Sequence, residues 1–391
     1  MAWTEGSPED VGMSSPRLER VRRSMREWAE KVGQHGVCAV VARRGVVVLD
    51  EAFVRLRAEP DSPPVRPDTI FWLASISKVV CATAAMVLVE EGRLGLNHPV
   101  SIYVPEFVGE KKEAVRVLHL LTHTSGLRDE DADEYAKNNS ESASVRRPER
   151  TENPELAAYM SARYGTPLGK DPGVEMCYST FGMDLLGEAV RRVSGQSFAD
   201  FVAERICRPL GMNGTAYGLP ESRRASAAQP GEAEARSLME YVARVPHPGG
   251  AAFSTARDLA RFGQMFLDGG RAGGVRVLSP TTVAAMTRNQ IPGLSSGYAD
   301  EVFREGSWGF GWSVLSDWKG VAWGLGLSSR RAYCHSGMGL AFLWVDPEYE
   351  LVGAYLPAED TSRLLGRYPW EIRRNSGAFL FADAVTAAIV D

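Results

Sequence analysis

Apolar and polar positions alternate with a helical period near the start of the chain. Leu18, Val21, Met25, Trp28 and Val32 recur at three- and four-residue spacing among charged residues. That predicts an amphipathic helix over 17–31, opened by Ser14, Ser15 and Pro16. Residues 37–42 and 46–50 are β-rich runs joined at Arg43-Arg44-Gly45, a hairpin signal. Residues 55–68 are polar and proline-rich and predict a loop. From Phe71 the chain is strand-like, then turns helical at Ser75 and runs to Gly92, apolar on nearly all sides. Such a helix belongs in the middle of the molecule. Further helices are predicted over 115–121, 154–163, 180–194 and 198–205, and over 256–267 behind Ser254 and Thr255. Strands are predicted over 308–314, 340–345 and 351–356, the last two forming a hairpin about Asp346-Pro347, and a helix over 372–390 ends the chain. Residues 128–150 have almost no apolar anchor and predict a surface excursion, either a flap over a site or a solvated loop. Strands thus cluster at both ends of the chain and helices between them. The expected fold is α/β in the α+β sense: an antiparallel sheet from residues 1–74 and 245–391, flanked by helices, with a mostly helical lobe from 75–244 inserted.

Composition narrows the class. The 391 residues carry a net charge of −5 and are 44% hydrophobic, with no basic stretch. Neither nucleic acid nor an anionic membrane is expected as a partner. No run approaches the roughly 20 apolar residues of a membrane span. The first residues lack a basic segment followed by an apolar one, so no signal peptide is expected and a cytoplasmic location is the default. The five cysteines are odd in number and widely spaced, and read as reduced core residues. His119 and His123 are the one histidine pair at metal-ligand spacing. They lack an acidic or cysteine partner nearby, so no metal and no cofactor is expected.

The chemistry concentrates in the helix that begins at Ser75. Lys78 lies three residues on, on the same face. A serine hydroxyl needs a neighbouring base. A lysine can serve if burial and the helix N-terminus depress its pKa. Only seven lysines stand among the 44 basic residues, so lysine at this position is notable. The same pair also suits a helix cap and a surface cation, and Ser-x-x-Lys arises about once by chance in a chain of this length. A second match, Ser316 to Lys319, lies in a turn-like segment with no helix to align it. Tyr178 precedes a helix that Ser179 or Thr180 could cap, and could shuttle protons or simply pack. His335, Ser336 and Gly337 mark the entry to a strand. Glycine there allows a close approach, and a free N–H beside that of Ser75 could hold an oxyanion. The Gly-x-Ser-x-Gly run at 293–297 imitates a nucleophile elbow. It follows Ile291-Pro292 and precedes polar residues, not a helix, and reads as a flexible loop. Trp72, Trp308, Trp312, Trp318 and Trp323 either wall the site or belong to the core.

Taken in order, these motifs resemble the serine β-lactamase-related family of penicillin-recognising enzymes, in the class C branch that includes family VIII carboxylesterases. Ser75-Ile76-Ser77-Lys78 matches the nucleophile motif, Tyr178-Ser179-Thr180 the tyrosine motif, and His335-Ser336-Gly337 the strand motif. Leu121-Thr-His-Thr-Ser-Gly-Leu127, Pro172-Gly173, Pro209-Leu-Gly-Met212, Gly249-Gly250, Phe253-Ser-Thr255 and Trp308-Gly-Phe-Gly-Trp312 look like further landmarks. The resemblance implies a site between sheet and helical lobe. Ser75 would form an acyl-enzyme, Lys78 and Tyr178 would share proton transfer, and the Ser75 and Met338 N–H groups would hold the oxyanion. Thr180, His335, Ser336 and Gly337 would contact a small acyl ester or amide. Two departures matter: class C lactamases usually carry Asn at the position of Thr180 and Lys at that of His335. A hydroxyl cannot reproduce an amide's donor and acceptor, and a neutral imidazole holds a carboxylate less well than an ammonium. Together with the missing export signal, they favour a carboxylesterase for short acyl esters with weak or no β-lactamase activity. An acyltransferase, or a hydrolase of amides or D-amino-acid peptides, shares the mechanism, and a silent binding module on the same fold is the reading from another class.

Overall fold

The computed structural model describes residues 3–32, 36–139, 149–150, 152–231, 233–298, 301–315, 325–358 and 377–391. Seven strands form its main sheet. They are β1 (Thr4–Glu5), β2 (Gly36–Arg43), β3 (Val46–Val54), β4 (Ser313–Val314), β5 (Tyr333–Ser336), β6 (Phe342–Asp346) and β7 (Leu351–Ala358). Their order is β1-β3-β2-β7-β6-β5-β4, so the two ends of the chain meet where β2 pairs with β7. All pairs are antiparallel except β1 with β3.

β2 is buried along its whole length, which is why it reads as an unbroken apolar run. Val37, Ala39 and Val41 share a core with Leu18, Val21 and Met25 of helix α1 (Ser15–Val32) and Phe381 and Val385 of a last helix, Gly377–Thr386. Cys38 and Val40 belong to the other core. That core holds helix α2 (Ser77–Glu90), helix α4 (Thr180–Ser194) and helix α5 (Ala256–Leu267). Residues 77–88 of α2 are all buried, as its apolar circumference predicts. Among the described residues no helix is long and apolar enough to cross a membrane.

Four expectations need correction. Ser75 precedes α2 and sits in a tight 3₁₀ turn, Ala74–Ile76. Of 308–314 only Ser313–Val314 joins the sheet. Trp308 bridges back to Ser313 through a loop in which Gly311 takes φ 83°, packed against Ala82 of α2. The polar stretch after Leu127 opens as helix α3 (Asp129–Asn138), while residues 140–148 lie outside the described part. The run at 293–297 is a turn leading into strand Ser296–Tyr298, which pairs with Met176–Cys177 immediately before Tyr178. Trp318, Trp323, the 316–319 match and residues 372–376 also lie outside the described residues.

Candidate active site

The site lies where the 3₁₀ turn enters α2. Ala74 holds φ 47°, a left-handed conformation that costs a non-glycine residue about 1–2 kcal/mol. That turn sets Ser75, half-buried, ahead of the helix axis, with Lys78 behind it. The Lys78 side chain is enclosed, 1% exposed. Its Nζ donates to Ser75 Oγ at 3.1 Å and to the Gly249 carbonyl at 2.8 Å. Burial pushes the Lys78 amine down to about 8, partly opposed by the carboxylates of Asp129 and Asp184. A free-base amine on the Ser75 hydroxyl is therefore accessible near neutral pH.

Tyr178 lies over this amine, with Lys78 Nζ 4.9 Å from its ring centre. Its placement traces to His123, for which sequence reading found no role. The His123 carbonyl accepts from the Cys177 N–H at 2.7 Å, and its Nδ1 accepts from the Ser179 N–H at 3.2 Å. One residue thus grips the main chain on both sides of Tyr178, and its ring packs 4.5 Å beneath the phenol ring. Because Nδ1 accepts, the proton sits on Nε2, and burial holds this imidazole neutral. His119 Nδ1 accepts from the Arg116 N–H, so the histidine pair serves two separate main-chain contacts.

Thr180 begins α4. Its N–H donates to both oxygens of Asp129 at 2.8 Å, while Asp129 also accepts from the Phe181 N–H at 3.1 Å and the Ser179 hydroxyl at 3.0 Å. A carboxylate against four helix-terminal bonds is a strong cap. Nothing in the local sequence pairs residue 129 with residue 180.

The third wall is β5. Gly337 is required by a close approach: a Cβ there would stand 2.2 Å from the Leu73 carbonyl. The turn Met338–Leu340 therefore rests against the Ala74–Ile76 turn, and Met338 itself is exposed. His335 is 1% exposed, and its Nδ1–H donates to the Ser336 carbonyl at 2.7 Å. Its Nε2 lone pair has no hydrogen-bond partner among the described residues. Burial and the Lys78 cation push it down to about 3, so it is neutral at working pH. Trp308 closes the site, edge-on to Tyr178 at 5.9 Å and His335 at 5.5 Å. Trp72 donates to the Gly250 carbonyl at 2.7 Å, whereas Trp312 belongs to the core beside Phe266 and Tyr333. Among the described tryptophans the one that walls the site is thus Trp308; all five cysteines are free, and four of them are buried.

The beta-lactamase family profile matches residues 21–373, so the chain belongs to the beta-lactamase family, and it is a serine hydrolase of that fold. It is 31% identical over 306 residues to Penicillin-binding protein 4 of Amycolatopsis lactamdurans, covering 75% of this chain and 73% of that one. It is 34% identical over 198 residues to Esterase EstB of Burkholderia gladioli, covering 48% of each. Its fold matches the solved structure of EstCE1, a hydrolase with promiscuous acyltransferase activity, with a TM-score of 0.72 at 22% identity, over 93% of this chain and 99% of that one.

Proposed function

We propose that the protein is a carboxylesterase for short-chain acyl esters, working through an acyl-enzyme on Ser75, with weak or no β-lactamase activity. The contact that carries this reading is Lys78 Nζ on Ser75 Oγ at 3.1 Å, from an amine that burial has pushed down to about 8. Lys78 takes the hydroxyl proton as Oγ attacks the ester carbonyl carbon. The Ser75 and Met338 N–H groups hold the oxyanion that forms. The C–O bond to the alcohol then breaks, and Tyr178 and Lys78 return the proton to the departing alkoxide. Water attacks the acyl-serine by the same route and frees the acid.

The neutral environment of the acyl partner favours an ester over a carboxylate-bearing lactam. Residue 335 supplies a buried, uncharged imidazole rather than an ammonium, and Thr180 has a hydroxyl rather than an amide. The similarity to EstB supports the same choice. The test is hydrolysis of p-nitrophenyl acetate and butyrate beside a chromogenic cephalosporin, with Ser75→Ala as control. Ester turnover that vanishes in the variant, with little cephalosporin turnover, is expected. Rapid cephalosporin turnover would overturn the preference. Acyl transfer to an added alcohol in place of water would mark an acyltransferase.

A further inference from the structure

We infer that Asp184 is a positioning residue that sets the orientation and basicity of Lys78 by holding the main chain of Gly249 against it. This rests on the proposed role of Lys78 as the base. Asp184 projects from α4, is fully buried, and its Oδ1 accepts from the Gly249 N–H at 2.7 Å. The carbonyl of that same Gly249 accepts from Lys78 Nζ at 2.8 Å, and Lys78 Nζ reaches Ser75 Oγ at 3.1 Å. The chain of contacts therefore runs from carboxylate to peptide N–H, then from residue 249's carbonyl to amine, and from amine to hydroxyl. The N–H and the carbonyl belong to the two peptide groups flanking the Gly249 Cα, so the link is one of position, with the carboxylate's charge acting on the amine through space.

The carboxylate is not consumed locally. Its Oδ2 has no hydrogen-bond partner among the described residues. His247 Nδ1 stands 3.4 Å from Oδ1, and the Tyr159 phenol from the neighbouring helix is pushed up by burial and by this carboxylate. Among the described residues no arginine or lysine pairs directly with this enclosed carboxylate, whose neighbours are one main-chain N–H, the His247 imidazole and the Tyr159 phenol, so its charge is left to act on the amine beyond Gly249. The cation it favours is the Lys78 ammonium, which also faces Asp129, Cys81, Tyr178 and two imidazoles, His123 and His335. Asp184 thus keeps the amine from falling too far in basicity, while the peptide link fixes where its lone pair points. Gly249 has no room for a side chain at this junction: a Cβ would stand 2.8 Å from the Thr180 carbonyl and 3.0 Å from Asp184 Oδ1.

The experiment is the pH profile of kcat/KM on p-nitrophenyl butyrate for wild type, Asp184→Asn and Gly249→Ala, with active sites titrated by a fluorophosphonate. Asp184→Asn keeps the shape and removes the charge. Its acid limb is expected to move to lower pH by about half a unit or more. Gly249→Ala breaks the link from the peptide side with Asp184 intact, and is expected to lower kcat per titrated site about tenfold or more with little change in KM. A limb and per-site turnover that stay put in both variants would overturn the inference, since a structural role would only reduce the titratable fraction. A wild-type profile with no limb near pH 8 would instead count against Lys78 as the base.

Discussion

At the scale of single residues the account turns on one amine. Lys78 is held down to about 8 by burial. Roughly a tenth of it is free base at pH 7, and most of it at pH 9. Ester kcat/KM should therefore rise with pH along a limb centred near 8. Lys78→Arg keeps the charge but cannot give up its proton, and should lower kcat about 10²–10⁴-fold with the thermal midpoint little changed. Normal turnover in that variant would remove the lysine from the mechanism. The pair was legible in the sequence because residues three apart meet over one helical turn, here a 3₁₀ turn running into α2 rather than α2 itself, and because this chain spends so few lysines. The grip of His123 on Tyr178 was not, since it joins residues 56 apart by main-chain contacts that leave no local pattern. The same holds for Gly249 and Asp184, which reach Lys78 from segments over a hundred residues away.

At the scale of elements, helix periodicity proved the more reliable signal. The spans of α4 and α5 follow from apolar spacing and their caps, with Ser179 and Thr255 accepting the expected N–H bonds, while α2 has no side-chain cap and starts two residues later than its apolar run implied. The strand expected over 308–314 failed because aromatic and β-branched residues there suit a packed loop as well as a strand, and Gly311 bends the chain into α2. The stretch after Leu127 looked like a solvated excursion because its first helical turn is acidic. That acidity is what α4 requires at its positive end. Asp129→Ala removes the acceptor of three N–H bonds and one hydroxyl bond. It should cost about 1.5–3 kcal/mol in urea unfolding. An unchanged urea midpoint would show that Ser179 alone caps the helix.

At the scale of the whole molecule, strands from both ends meet in one sheet, with Leu351–Ala358 paired to Gly36–Arg43. Long runs of apolar residues made that legible, because both faces of the central strands are covered. The site sits at the margin of this sheet with two neutral imidazoles buried behind it. His335 is held down to about 3 and His123 well below its ordinary value, both chiefly by burial. In the unfolded chain both take up protons below about pH 6.5. The unfolded state then binds more protons than the folded one, so stability falls as pH drops through that value. Each such histidine contributes a slope of up to about 1.4 kcal/mol per pH unit. His335→Gln should flatten the decline between pH 6 and 4, measured as unfolding free energy against pH. An unaltered slope would mean that this imidazole is protonated in the fold.

The most direct test of the central claim is covalent. Wild type mixed with p-nitrophenyl butyrate, acid-quenched within the burst and digested, should carry a butyryl group on Ser75 by mass spectrometry. Lys78→Arg should accumulate it far more slowly. A butyryl group on another residue, or ester turnover that survives in Ser75→Ala, would contradict the account.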